Sequence, residues 1–287
     1  MTAESYYGRP VLKPPVWKVP DVPLYLYLGG LAGASSTMAV LADLTGRGRL
    51  AAAGRLAAAV GATASVGALV HDLGRPTRFL NMLRVFKPTS PLSVGSWILA
   101  PFSALSGAAV ASELTGRLPG AGRAAGVLAG AVAPAMTTYT AVLLADTAVP
   151  GWHEVYRELP FVFAGSAVSS AGAVGMLAAP GEAEPARRMA IAGSVLELAA
   201  TRRMHRGAGL VGEVYQQGRA GSVLRAAQAL TCLGLGAAAF AGRSRTARIA
   251  SGLCLNAAAA ATRYGIFEAG RASSRDPRYT VMPQRTS

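Results

Sequence analysis

Charged residues are scarce in this chain. Lys, Arg, Asp and Glu together make up 15% of its 287 residues, whereas a globular domain carries about a quarter. Hydrophobic residues make up 52%, and the mean hydropathy is +0.35. This composition excludes an intrinsically disordered chain, which needs many charges and few apolar residues. It predicts an all-α, polytopic integral membrane protein.

Histidine and cysteine, the usual ligands of redox metals, are also rare. The chain has three His and two Cys, and both cysteines, Cys232 and Cys254, lie in apolar runs without a CxxC or CxxCH motif. We therefore expect this chain to bind no iron–sulfur cluster and no c-type haem. A diheme cytochrome b anchor would need about four His ligands within the membrane, and only His71 adjoins a predicted span.

Acidic residues are outnumbered two to one, because 28 Lys and Arg face 14 Asp and Glu. On a soluble domain this excess would indicate nucleic-acid binding. Here the basic residues lie at the ends of apolar stretches, where Arg reaches the lipid headgroups and sets the topology. Aromatic residues make up only 7%, and no nucleic-acid-binding motif occurs. We expect no nucleic-acid partner.

Eight apolar stretches suggest membrane-spanning helices, each of which needs roughly 20 residues. The predicted spans are 24–42, 50–71, 92–112, 124–145, 159–179, 189–201, 221–242 and 249–267. The sixth is the weakest, because it is short and contains Glu197. Counting it places both termini on the same side of the membrane, and omitting it separates them.

The chain is divided accordingly into three parts. Residues 1–23 are expected to form an extended polar N-terminal segment, 24–267 the transmembrane bundle, and 268–287 a polar C-terminal tail. The N-terminal segment lacks the apolar core of a cleavable signal peptide, so none is expected. The spans are rich in Gly and Ala, which allow helices to pack closely in lipid.

The least bilayer-like segment is 71–97, with the sequence HDLGRPTRFLNMLRVFKPTSPLSVGSW. Its basic and apolar side chains predict an amphipathic helix at the membrane interface after the second span. Asp72 and Arg75 lie within one turn of each other. They form either a helix-ending ion pair or a functional site, since charges at membrane depth are unfavourable unless paired.

This segment resembles the signature of the NrfD/PsrC family, the membrane subunits of polysulfide-reductase-type respiratory complexes. Three other stretches resemble the same family in the same order. They are WKVPDVPLYLYLGGLAG (17–33), TTYTAVLLADTAVPGW (137–152) and TRYGIFEAGRASSRDPRYTVMPQR (262–285). The resemblance extends over most of the chain.

The resemblance implies an eight-helix bundle in the cell membrane that has no redox centre of its own. Such a subunit exchanges electrons between membrane quinone (menaquinone or ubiquinone) and a ferredoxin-like subunit with four [4Fe–4S] clusters. That subunit connects in turn to a molybdopterin catalytic subunit. This chain would thus be the quinone-reactive subunit of an oxidoreductase complex. The chain itself would carry no catalytic centre.

Individual residues carry the implied quinone site. Asp72 and Arg75 match the family's DLGRP core and are expected to handle protons and contact the quinone. Tyr139 matches a position whose phenol hydrogen-bonds a quinone oxygen, although it is also placed to be an interfacial tyrosine. His71 is expected to relay a proton near neutral pH or else to face the lipid headgroups.

Further ionisable and polar residues lie near or within the spans. Tyr25 and Tyr27 occupy the helix-one region from which the family draws quinone contacts, and we expect them to be aromatic anchors at the interface. Glu197 is expected to face inward and handle protons, unless the sixth span is misplaced and Glu197 lies near the headgroups. Arg263 either pairs with an interior carboxylate or extends to the surface.

Two other functions remain open from the sequence. A secondary transporter or ion channel is one, because transporters use broken helices near the midplane, and Pro134 and the short sixth span are features of that kind. A structural anchor without a quinone site is the other.

Overall fold

The computed structural model describes residues 12–13 and 15–281, and this part of the chain is helical with no strand. Eight of the helices have 20 residues or more. The α-helices are α1 (Asp21–Leu44), α2 (Gly48–Leu73), α3 (Pro76–Met82), α4 (Pro91–Thr115), α5 (Pro119–Ala145), α6 (Pro150–His153), α7 (Leu159–Ala178), α8 (Ala183–Gly207), α9 (Gly218–Phe240) and α10 (Arg245–Arg275). Short 3₁₀ helices cover Pro180–Glu182 and Gly209–Tyr215.

Proline and glycine mark the helix boundaries. Helices α3, α4, α5 and α6 each begin with a proline in the first turn, where its missing N–H has no helical partner to lose. Helices α2 and α4 end at Gly74 and Gly116, whose φ angles of 73° and 67° lie in the left-handed region that glycine adopts freely. These residues set the turns between the long helices.

The eight long helices form four hairpins. The most extensive contacts join α1 to α2, α4 to α5, α7 to α8 and α9 to α10. Helix α1 also packs against α5 and α7, and α10 packs against α7, so these helices form the centre of the bundle. We call the end where α1 begins and α10 ends the proximal end. The opposite end, with the turns after α1, α4, α7 and α9, is the distal end.

Close approach of helix backbones explains the wealth of glycine. A methyl group on Gly165 would lie 2.5 Å from the backbone nitrogen of Glu197, and one on Gly193 would lie 2.3 Å from that of Ser169. Small residues permit such contacts between helices in lipid. The α7–α8 contact holds the Glu197 backbone directly against α7.

Six of the described helices are long and apolar enough to cross a membrane: α1, α2, α4, α5, α7 and α9. The chain is therefore an all-helical, multi-pass membrane protein. The predicted sixth and eighth spans correspond to α8 and α10, which are long but lie outside this set. Six of the eight predicted spans therefore meet these criteria, and the other two stay predictions.

The helices also extend beyond their predicted limits. Helix α10 continues to Arg275, so residues 268–275, the first part of the predicted polar C-terminal tail, are helical. Helix α1 begins at Asp21, within the predicted N-terminal segment. Residues 1–11, 14 and 282–287, which belong to the two predicted terminal segments, lie outside the described residues.

The described N-terminal residues pack across the proximal end. The Trp17 ring stacks on Trp152 and Phe267, with centroid distances of 5.4 and 6.4 Å. The Trp152 indole nitrogen donates to the Ile266 carbonyl at 2.8 Å. These contacts join the chain before α1 to α6 and α10.

The segment between α2 and α4 contains one short helix, α3, of seven residues. Apolar side chains of this segment, Leu80 in α3 and Val85 and Phe86 after it, are exposed. Ser93 in the first turn of α4 accepts a hydrogen bond from the Lys87 amide at 3.0 Å and so fixes the end of the segment. The exposed apolar side chains suit the predicted interfacial location, which stays a prediction.

Candidate functional site

Asp72, at the end of α2, contacts the chain before α1. Its Oδ1 accepts a hydrogen bond from the Lys18 backbone N–H at 2.8 Å, and the Lys18 ammonium donates to the His71 carbonyl at 3.1 Å. Arg75 is exposed in the turn before α3, and no ion pair joins it to Asp72 within the described residues. The interpretation of these two residues as a helix-ending ion pair is therefore wrong.

His71 pairs with an acidic residue that the sequence did not single out. Its Nδ1 lies 2.7 Å from Oδ2 of Asp21, the first residue of α1. The His71 side chain is 76% exposed, whereas that of Asp21 is 14% exposed. The pair therefore links an exposed side chain at the proximal surface to a largely buried carboxylate at the start of α1.

Tyr25 lies one helical turn beyond Asp21 on the same face of α1 and meets Tyr139 of α5. The two hydroxyl oxygens are 2.5 Å apart, and the rings meet edge to face. Both side chains are buried. The prediction that Tyr25 is an interfacial anchor is wrong, and so is the corresponding alternative for Tyr139.

The tyrosine pair retains one hydrogen-bond donor. Only one hydrogen lies between two hydroxyls, so the accepting hydroxyl keeps its own hydrogen for a third group. Gly95 of α4 leaves room for the Tyr139 ring, because a methyl group there would lie 2.7 Å from its Cε2 atom. Both tyrosines belong to a cluster of buried apolar side chains that also includes Leu69 and Leu99.

Arg263 of α10 points into the bundle and is 1% exposed. Its guanidinium donates to the carbonyls of Leu26 and Phe163 at 2.9 and 2.7 Å and to the Ser166 hydroxyl at 3.2 Å. Its central carbon lies 3.8 Å from the centroid of the Phe163 ring. Extension of Arg263 to the membrane surface is therefore wrong.

Arg263 also lies directly behind the tyrosine pair. Leu26 follows Tyr25 in α1, and Thr140, whose hydroxyl accepts from Arg263 at 3.4 Å, follows Tyr139 in α5. The guanidinium therefore holds together the two backbone segments that carry the tyrosines. The sequence identified Arg263 as a candidate but not this role.

Glu197 of α8 is 3% exposed and faces α10. Its Oε1 accepts a hydrogen bond from the Thr262 hydroxyl at 2.7 Å. No ion pair joins Glu197 to Arg263 within the described part of the chain. The expectation that Glu197 faces inward is therefore correct, whereas the pairing of Arg263 with an interior carboxylate is wrong for this one. The depth of Glu197 in the membrane stays a prediction.

A small cavity lined by both polar and apolar side chains adjoins this carboxylate. It has a volume of about 10 Å³ and is also lined by Thr201, Gln228 and Thr231. Such a volume is near the lower limit for one water molecule, roughly 10–15 Å³. Glu197 thus lies beside a space close to the size of one water molecule, with several hydroxyl and amide groups in its wall.

Tyr27 takes no part in the tyrosine pair. Its hydroxyl donates to Asn256 Oδ1 of α10 at 2.8 Å, and its side chain is partly buried. This bond ties α1 to α10 on another side of the bundle. Within the described residues no group of three His, Cys, Asp or Glu is arranged to hold a metal ion.

The fold and the site define a class of protein. Apolar helices cross a membrane, and two phenols and a carboxylate lie buried inside the bundle, with His71 and Asp72 at its proximal end. The chain is thus a multi-pass membrane protein with protonatable groups both inside its helix bundle and at the proximal end.

Comparison with known families identifies it further. The family model described as "Polysulphide reductase, NrfD" matches residues 11–192, more than half of the chain. The protein belongs to this NrfD family, as its sequence predicted. The matched region includes His71, Asp72, Arg75 and Tyr139 and ends before Glu197. A search of the curated proteins found no match.

Proposed function

We propose that this protein is the membrane anchor and quinone-reactive subunit of a respiratory molybdopterin oxidoreductase complex. It exchanges electrons between menaquinone or ubiquinone and a ferredoxin-like subunit with four [4Fe–4S] clusters, which serves a molybdopterin catalytic subunit. Membership in the NrfD family supports this proposal. The observation that carries it is the buried tyrosine pair, Tyr25 with Tyr139.

The residues around this pair fit a quinone. A quinone ring presents carbonyl oxygens that accept hydrogen bonds, and the pair retains one O–H donor. Both tyrosines belong to the buried apolar core cluster that also contains Leu69 and Leu99, and apolar surroundings of this kind suit a quinone ring and its isoprenoid tail. A bound quinone supplies two-electron, two-proton redox chemistry, and the tyrosines hold and orient it.

Protons reach or leave the site from the proximal end. Asp21 lies one turn from Tyr25 on α1, and its partner His71 is exposed to water. Asp72 holds the Lys18 segment that leads into Asp21. Asp72 and the exposed Arg75 add charges of opposite sign at this exit, and a positioned acid or base accelerates proton transfer.

Glu197 is a second proton-handling residue in this proposal. Its carboxylate is buried beside a cavity that suits water, and buried ionisable groups in membranes mark proton routes. Helices α8 and α10 are the remaining two spans of an eight-helix bundle. The protein then lies in the cell membrane with both termini on one side.

The charge at the proximal exit is tested with Asp72→Asn and Arg75→Ala in the intact complex. We expect quinol-linked turnover to fall by about 100-fold or more, the scale of a lost general acid or base. Reduction or oxidation of a soluble dye at the catalytic subunit serves as the control and should persist. Normal quinol-linked rates in both variants would show that the site is assigned wrongly.

A further inference from the structure

The distal end carries a second charged cluster, which the proposed function does not use. Arg55 of α2 donates Nε and Nη2 to the Glu113 carboxylate of α4 at 2.7 and 2.9 Å. Its Nη1 donates to Asp43 of α1 at 2.5 Å. A cavity of about 600 Å³ opens beside these groups and is also lined by Ser112 and Arg123.

A narrower space continues from this cavity into the bundle. The two spaces share Asp43, Arg55 and Ala109 among their lining residues, and the inner one reaches Ser36 and Ser106. Each serine lies about two helical turns, or roughly 10 Å, deeper than the carboxylate on its own helix. The inner space has a volume of about 10 Å³, near the lower limit for one water molecule.

The hydroxyl of Ser106 lines the inner space and needs a hydrogen-bond partner there. Ser106 is 3% exposed, and its Oγ has no hydrogen-bond partner among the described residues. A buried hydroxyl is unfavourable without a partner, and ordered water supplies one where the cavity is polar and large enough. The rest of the wall consists mainly of small residues: Ala39, Ala58, Ala109, Gly126 and Ala129.

We infer that water enters the bundle from the distal end, past the Asp43–Arg55–Glu113 cluster, and reaches Ser36 and Ser106. The ligand of this inlet is water, together with the protons that water carries. Phe102, one helical turn deeper than Ser106 on α4, is fully buried. The inlet therefore opens at the end of the bundle opposite to His71 and Asp72, and it does not depend on quinone binding.

The inlet is tested by the reactivity of Ser106→Cys toward a membrane-impermeant thiol reagent. The test uses a background variant in which both native cysteines, Cys232 and Cys254, are replaced by serine, and it compares sealed vesicles of both orientations. Arg117→Cys reports the distal end, and Thr77→Cys reports the proximal end. We expect Ser106→Cys to react only in vesicles where Arg117→Cys reacts. Ser170→Cys, which replaces a buried serine already bonded to the Ala167 carbonyl, should stay unreactive.

A second substitution closes the inlet. Ala109 lines both spaces and is buried, whereas Ala108 beside it is exposed. Ala109→Leu fills the shared wall and should slow labelling of Ser106→Cys about tenfold or more, while Ala108→Leu should leave the rate unchanged. Ser36→Cys provides the same readout from α1 if Ser106→Cys does not assemble.

Two results would overturn the inference. One is a cysteine at Ser106 or Ser36 that reacts from neither side, or only from the side of Thr77→Cys. The other is labelling that Ala109→Leu leaves as fast as before. Either result would mean that the hydroxyls are sealed from distal water.

Discussion

At the scale of single residues, the tyrosine pair depends on neighbours that hold it without touching its hydroxyls. Arg263 bonds to residues adjacent to both tyrosines. Gly30 makes room for it, because a methyl group there would lie 2.7 Å from the Arg263 Nη2 atom. Gly95 does the same for the Tyr139 ring. The position of the two phenols therefore depends on residues in several helices.

Gly95→Ala tests this dependence. The added methyl group would overlap the Tyr139 ring, so the ring shifts and the contact between the hydroxyls is lost. A displacement of about 1 Å lowers an enzymatic rate up to about 100-fold, and we expect quinol-linked turnover of the complex to fall by about 10- to 100-fold. Gly107→Ala on the same helix meets no atom within 4 Å and should behave as wild type. Full turnover in Gly95→Ala would exclude a precisely held ring.

Glu197→Gln separates proton handling from packing. Glutamine retains the oxygen that accepts from Thr262, so the melting temperature should stay close to that of wild type. Quinol-linked turnover should fall by about tenfold or more, because the amide does not titrate. Thr262→Val removes the hydrogen bond and leaves the carboxyl, so it should retain most of the turnover. Wild-type turnover in Glu197→Gln would remove this residue from the proton route.

The inward direction of some of these side chains could be predicted from the sequence, and that of others could not, for one physical reason. Apolar runs give the depth of a residue in the membrane but not the direction of its side chain around the helix axis. Glu197 was predicted to face inward because a lone carboxylate is unfavourable in lipid. The side chains of Arg263 and Tyr25 could also point outward favourably, toward the headgroups. Only the packing of the helices decides between the inward and the outward direction. Asp21, four residues before Tyr25, lies on the same helix face, and this spacing was the signal in the sequence that Tyr25 belongs to a polar site.

At the scale of elements, α8 has the shortest apolar stretch among the helices predicted to cross the membrane. Its weakly charged stretch, 189–201, is about 20 Å long, whereas the bilayer core is about 30 Å thick. Arginines flank both ends, with Arg187 and Arg188 before the stretch and Arg202 and Arg203 after it. Their long side chains extend the span by reaching the headgroups. We therefore propose that α8 crosses.

The crossing of α8 is tested by cysteines beyond its two ends. Gly181→Cys and Arg206→Cys replace exposed residues in a chain without native cysteines. They should react with an impermeant thiol reagent on opposite sides of sealed vesicles. Thr115→Cys, at the distal end of α4, should react on the side of Gly181→Cys. Reaction of both α8 cysteines on one side would mean seven spans and separated termini.

Most of the helices themselves followed from the sequence, because a long apolar run in a membrane protein is satisfied only by a helix. Their ends did not follow as well. Helix α10 continues to Arg275 because its last turns pack against the proximal connections, where the Ser273 hydroxyl accepts from the Gly151 amide at 2.9 Å. Hydropathy gives no signal for such a contact.

At the scale of the whole molecule, the bundle has polar entrances at both ends with buried apolar residues between them. The proximal entrance combines His71 and Asp72 with the tyrosine pair below them. The distal entrance combines Arg55 with its two carboxylate partners, Asp43 and Glu113. In the proposed function, the proximal end is the side from which protons reach the quinone.

Quinone-analogue binding to the intact complex tests the central claim most directly. Tyr139→Phe and Tyr25→Phe each remove one hydroxyl of the pair, and each should weaken binding about tenfold, equivalent to about 1.4 kcal/mol. Tyr27→Phe, which removes the hydroxyl bonded to Asn256 instead, should bind as wild type does. Unchanged affinity in both Tyr139→Phe and Tyr25→Phe would contradict a quinone site at the tyrosine pair.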